Sequence, residues 1–168
     1  IIFSPHPDDD VVSMGGTFDR LVSQGHEVHI AYQVKGNIAV SDHDALKFIE
    51  VSKEMFKNDS KVPVSELIKE LKNNKPDKID SEAVRDLKGF IRKREAIAAT
   101  RYIGIPDSNT HFMNLPFYDT GRIKKNPPTK KDILITASLI KKIKPHQIFA
   151  AGDLEDPHGT HKVCLDVI

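Results

Sequence analysis

The chain opens Ile1-Ile2-Phe3-Ser4-Pro5-His6-Pro7-Asp8-Asp9-Asp10, an apolar stretch followed at once by an imidazole and three carboxylates. These are ligand types for a catalytic zinc ion, and a carboxylate left over beside such an ion can serve as a base. Near the other end, Asp156-Pro157-His158-Gly159-Thr160-His161 adds two more imidazoles. Together the segments hold enough donors for a three-ligand site that keeps one position open. That open position separates a catalytic zinc from a structural one. Each segment also has a plainer reading. Aspartates ahead of a helix are ordinary caps, and histidines beside turns are common.

The surrounding elements favour the chemical reading. Ile1 to Ser4 reads as the end of a buried strand, and Asp10 to Gln24 as a helix stopped by Gly25. The acidic opening of that helix suits the positive end of its dipole. Gly15-Gly16 inside it cost helix stability, so close packing against a strand or ligand is expected there. His26 to Val34 reads as a second strand, on which His26 and His29 take ordinary packing or edge positions. Helices are expected at 41–56, 65–73, 81–103 and 129–144, with further strands at 111–115 and 147–151. Another helix should begin near Gly159 or Thr160. The charged stretch 58–80 reads as a surface helical insertion. Alternating strands and helices imply an α/β fold with a mostly parallel sheet covered on both faces. Both acid- and histidine-rich segments directly follow strands. In such sheets ligands bind outside the carboxyl ends of the strands, at a switch in strand order.

Composition narrows the classes. The 168 residues suit a single domain with a real core. A formal net charge of +1 argues against a nucleic-acid binder. No apolar run approaches a membrane span and no secretory signal is visible. The single cysteine, Cys164, allows no intrachain disulfide and favours a cytoplasmic setting; it reads as a packed residue. The chain starts without methionine and ends in an apolar run, the expectation for a piece cut from a longer polypeptide at both ends.

The Pro5–Asp10 segment resembles the His-Pro-Asp-Asp-Glu signature of the PIG-L/LmbE-like zinc N-deacetylases. Gly15-Gly16 resembles that family's helix, and His158 to His161 its His-x-Asp-His segment. Arg92-Lys93-Arg94-Glu95 is similar to its Arg-x-x-Glu, and Asp119-Thr120-Gly121 to its Asp-Ser/Thr-Gly turn. The resemblance implies a Rossmann-like three-layer α/β/α domain over 1–168. It implies a Zn2+ site at His6, Asp9 and His161, although Fe2+ suits the same ligands. It makes Asp8 the general base and His158 the group that stabilises the oxyanion and helps the amine leave. Arg92 and Asp119 would contact the sugar. The implied reaction removes acetyl from an N-acetylated amino sugar or its conjugate. Two positions depart from the pattern: Asp10 stands for glutamate and Thr160 for aspartate, and threonine cannot supply the missing charge.

Chemistry agrees with this assignment. An unactivated amide needs a strong nucleophile and a polarised carbonyl, and zinc serves both needs. Asp8 must take a proton from water, so it is not to be spent as a ligand. Two alternatives stay open: a zinc amidohydrolase acting on a non-sugar amide, and a non-catalytic sugar-binding or regulatory domain. Relatives of this type also occur fused to a glucosamine-6-phosphate deaminase-like domain, which makes such a fusion a further expectation. The sequence is compatible with a homo-oligomer.

Overall fold

The computed structural model describes residues 1–55, 64–75, 78–122, 124–152 and 155–168. In chain order the regular elements are β1 (Ile2–Ser4), α1 (Asp9–Ser23), β2 (Ile30–Tyr32), α2 (Asp42–Met55), α3 (Val64–Lys72), α4 (Glu82–Ile103), β3 (Thr110–Phe112), α5 (Lys130–Ile143), β4 (Phe149–Ala150) and α6 (Thr160–Asp166). They fall into two compact units, Ile1–Lys35 with Lys93–Ile168, and Gly36–Arg92.

The first unit holds all four strands, in one parallel sheet of order β3-β2-β1-β4. Alternation along the strands sorts their side chains onto two faces. Ile2, Ile30 and Tyr32 pack with Phe18 of α1 and Ala96 of α4. Ile1, Phe3 and Ala31 point the other way, onto Leu139, Ile140 and Ile143 of α5. Helices therefore cover both faces, a three-layer α/β/α arrangement. Phe18 has no exposed surface, and burying a side chain of its size is worth about 2 kcal/mol.

The ladders are shorter than the apolar runs suggest. β1 offers only Ile2, Phe3 and Ser4 for pairing, opposite Ile30, Ala31 and Tyr32, so 26–29 stay outside the sheet. β3 stops at Phe112, and Asn114 soon after takes a left-handed backbone (φ 48°) that ends extension. β4 pairs only through Phe149 and Ala150. His29 packs as expected: its ring stacks on that of His111, with Nδ1 2.9 Å from His111 Nε2. Helix limits fall within a residue or so of those expected. The glycine pair of α1 is not packed closely against a strand. A Cβ on Gly15 would meet only Val11 Cγ1 at 3.9 Å, and one on Gly16 would meet nothing within 4 Å, so packing does not require either glycine.

Topology matters more for the site. From β1 the chain steps to β2 and then β3 on one side, and later lays β4 on the other side of β1. Strand order thus reverses between β1 and β4, and connections leaving the carboxyl ends of these neighbours diverge.

In the second unit, α2, α3 and the first half of α4 share a core of Val40, Ala45, Ile49, Leu67, Leu71, Val84 and Ile91. A polar knot ties the same helices together. Lys88 is 6% exposed, its ammonium lies 2.7 Å from both Asp42 and Asp80, and Asn74 Nδ2 donates to each of those carboxylates at 2.9 Å. Burial works against the charge on Lys88, but the two carboxylates outweigh it and hold its pKa above the usual lysine value. Within the expected insertion at 58–80, α3 is amphipathic: Leu67 and Leu71 are buried in this core, and Ser65, Glu66, Lys69 and Lys72 are exposed. Residues 58–63, 76 and 77 lie outside the described residues. No helix among the described residues is long and apolar enough to cross a membrane.

Candidate metal centre

Immediately after β1 the backbone turns sharply. The carbonyl of His6 accepts the Asp8 N–H at 2.9 Å and the Ser4 hydroxyl at 2.6 Å. Asp9, the first residue of α1, folds its carboxylate back to accept the His6 N–H at 2.8 Å. The turn therefore fixes His6 and Asp9 as a pair before any ion is considered. On the β4 side, Asp156 does similar work. Its carboxylate accepts the N–H groups of His158 at 3.2 Å and His161 at 3.0 Å, satisfying donors that the start of α6 leaves open. Gly159 sits between them with φ 68°, a left-handed backbone that favours glycine.

The two turns meet at the strand-order reversal. His6 Nδ1 lies 3.1 Å from Asp9 Oδ2 and 3.2 Å from His161 Nε2, and His161 Nε2 lies 3.3 Å from Asp9 Oδ2. Two nitrogens and one oxygen form a nearly equilateral triangle. A tetrahedral ion with bonds of about 2.0–2.1 Å would set its ligand atoms about 3.3 Å apart. The triangle is thus the size of one tetrahedral face, and the residues fit a zinc-sized cation without rearrangement. All three side chains are partly buried, which leaves an approach to the cluster.

The electrostatics follow from this packing. Burial opposes the charged form of Asp9, yet hydrogen bonds from His6 and the nearby His6 and His161 rings hold its pKa below the usual carboxylate value. Asp10 behaves in the opposite way. Burial raises its pKa, only partly countered by hydrogen bonds from Tyr32 (2.8 Å) and Ser4 (3.2 Å). Asp10, which stands for the expected glutamate, is therefore an internal brace between β1, β2 and α1. Asp156 keeps a lowered pKa, with burial opposed by the His161 and His158 amides and by the His161 ring.

The other expected site residues lie in the following places. Asp8 is the exposed N-cap residue of α1, but its side chain makes no capping hydrogen bond. His158 is exposed on the Asp156 turn. Asp119 is exposed, 3.7 Å from the Lys35 ammonium. Arg92 is half-buried on α4 and is the last residue of the second unit. Thr160, fully buried at the start of α6, carries no charge, but Asp156 brings a carboxylate into the same turn. Asp156 had a readable signal, an Asp-Pro pair ahead of a helix start. Tyr118 had none: its ring stands edge-on to His6, with centroids 5.9 Å apart, through a contact no local spacing reveals. Cys164 is buried, and burial pushes its thiol pKa up, so it is a packed residue.

A family model described as PIG-L, GlcNAc-PI de-N-acetylase, matches residues 1–168. A glucosamine-6-phosphate deaminase-like protein of Bacteroides thetaiotaomicron is 50% identical over 175 residues, which cover 100% of this chain and 26% of that protein. The chain therefore spans about a quarter of that relative's length. No solved structure gives a significant match.

Proposed function

The chain belongs to the PIG-L family of GlcNAc-PI de-N-acetylases, and from that premise we propose that it is a zinc-dependent hydrolase that removes acetyl from an N-acetylated amino sugar or its conjugate. Membership supports a deacetylase-type hydrolase for GlcNAc-like substrates. The finer reading is supported chiefly by one observation, the triangle of His6, Asp9 and His161 donor atoms with edges of 3.1–3.3 Å.

In this reading those three residues hold Zn2+, and Fe2+ suits the same donors. The ion supplies Lewis acidity, for the acyl carbonyl and for a water molecule. Asp8, at the N-cap position of α1 two residues after His6, takes the proton from the attacking water. His158, in its protonated form, stabilises the developing oxyanion and gives a proton to the departing amine. Arg92 and Asp119 contact the sugar. A non-catalytic role would draw on the missing charge at Thr160, and the Asp156 carboxylate in that turn weakens that argument.

Residues 1–168 then make one catalytic domain, since the family match covers both compact units. The relative's name supports a place beside another amino-sugar enzyme domain in a longer polypeptide. A cytoplasmic setting is in keeping with the lone buried Cys164.

The test is acetate release from a panel of N-acetylated sugars by zinc-loaded protein, with Asp8→Asn as comparison. Loss of the base should lower kcat by about 10²–10⁴ while bound zinc stays at one per chain. Acetate release unaffected by Asp8→Asn, or absent for every sugar, would overturn the reading.

A further inference from the structure

We propose that a cleft beside the metal centre is a subsite for a phosphate group on the substrate sugar, with Lys35 and Lys131 of its lining and Lys125, packed on the Tyr118 ring, as its cationic groups. This rests on the reading above that the substrate is an amino sugar, and it specifies which kind.

The cleft has a volume of about 450 Å3, within the range of small-molecule sites, and Lys35, Asn114, Tyr118, Asp119 and Lys131 line it. Lys35 follows β2 and Asn114 follows β3, just as His6 and Asp9 follow β1. Cleft and donor triangle therefore share the carboxyl edge of one sheet, on neighbouring strands. Tyr118 belongs to both: it lines the cleft, and its ring edge meets His6. A sugar with its N-acetyl group at the triangle would extend naturally past Tyr118.

Surface lysines are common, but Lys125 is not an ordinary one. Its half-buried ammonium lies 3.7 Å from the centroid of the Tyr118 ring and donates to the Arg122 carbonyl at 2.6 Å. Burial pulls its pKa down to about 8, against the pull of Asp119. The cation is thus held where water solvates it poorly, and an incoming anion would relieve that. Asp119 is the one acid lining the cleft, and it is 3.7 Å from Lys35. Lys35 and Lys131 outnumber Asp119 in the lining, and Lys125 stands against the Tyr118 wall of the cleft, so the neighbourhood is cationic and suits a phosphate monoester, which carries about −1.5 to −2 near neutral pH. Lysine is a point-charge phosphate binder, whereas planar carboxylate recognition favours arginine.

Calorimetric titration of the full protein with inorganic phosphate and with N-acetylglucosamine 6-phosphate tests this, using Lys125→Met and Lys125→Arg. Lys125→Met should weaken both ligands by about tenfold, the size expected for one charge-assisted hydrogen bond, and Lys125→Arg should restore most of the loss. In acetate release, the preference for the 6-phosphate over N-acetylglucosamine should fall by a similar factor in Lys125→Met. No phosphate binding by the wild type, equal losses in both variants, or no loss in either overturns the subsite. The two readings fail separately. Phosphate binding that depends on the Lys125 charge, without acetate release from any sugar, ends the deacetylase reading and keeps the subsite. Acetate release with phosphate binding indifferent to Lys125 does the reverse.

Discussion

At the scale of single residues, the donor triangle depends on groups that are not themselves donors. Asp9 is aimed by the His6 amide, and His161 is aimed by Asp156, whose carboxylate takes its N–H at 3.0 Å. Removing such a support typically costs 10–100-fold in metal affinity, and removing a helix cap costs about 1 kcal/mol. Asp156→Ala should therefore weaken zinc binding by about 10–100-fold and lower stability by about 1 kcal/mol, read by competition with a chelating dye and by urea unfolding. Unchanged zinc affinity would show that the turn holds His161 without Asp156. The donor residues themselves were legible in the sequence, because histidine and aspartate clustered after an apolar run are chemically conspicuous. Asp156 was less so, since its role lies in backbone geometry. Tyr118 and Lys125 were not legible at all, because their contacts to His6 and to each other form only in three dimensions.

At the scale of elements, two polar anchors carry predictions. Asp132 opens α5 in a capping box with Thr129 and also accepts the Phe117 N–H at 3.0 Å, fully buried. Burial opposes its charge, but the hydrogen bonds from Thr129 and Phe117 win and depress its pKa. A depressed carboxylate pKa means that its contribution is complete above the unfolded value of about 3.9 and is lost as pH falls through that value toward the folded one. Urea midpoints should thus drop below about pH 4 more steeply in wild type than in Asp132→Asn. Parallel profiles would remove Asp132 from the account. In the second unit, Lys88→Met leaves Asp42 and Asp80 facing each other without their shared cation, at a cost of about 3 kcal/mol. A change below 1 kcal/mol in urea unfolding would mean that water, not Lys88, satisfies those acids. The helices were legible to within a residue or so, because their caps and glycine stops are local. Strand lengths were not. His26 and Glu27 continue an apparently extended pattern, but β2 pairs only where β1 and β3 offer partners, at Ile30 to Tyr32.

At the scale of the whole molecule, sheet order does what neither motif does alone. The reversal between β1 and β4 brings segments from near the beginning and the end of the chain to one point, where His6, Asp9 and His161 could hold a cation. Ligand binding to the folded state alone should then stabilise it: zinc at 100 times its Kd contributes about 2.7 kcal/mol, or roughly 5–10 °C in Tm for a domain of this size. That rise should vanish in His161→Ala, and its persistence would place the stabilising ion elsewhere. The most direct measurement is a crystal structure of the zinc-loaded protein with anomalous diffraction at the zinc edge. The account predicts one strong peak within about 2.0–2.2 Å of His6 Nδ1, Asp9 Oδ2 and His161 Nε2. An ion bound away from these three atoms, or no peak there at saturating zinc, would contradict it.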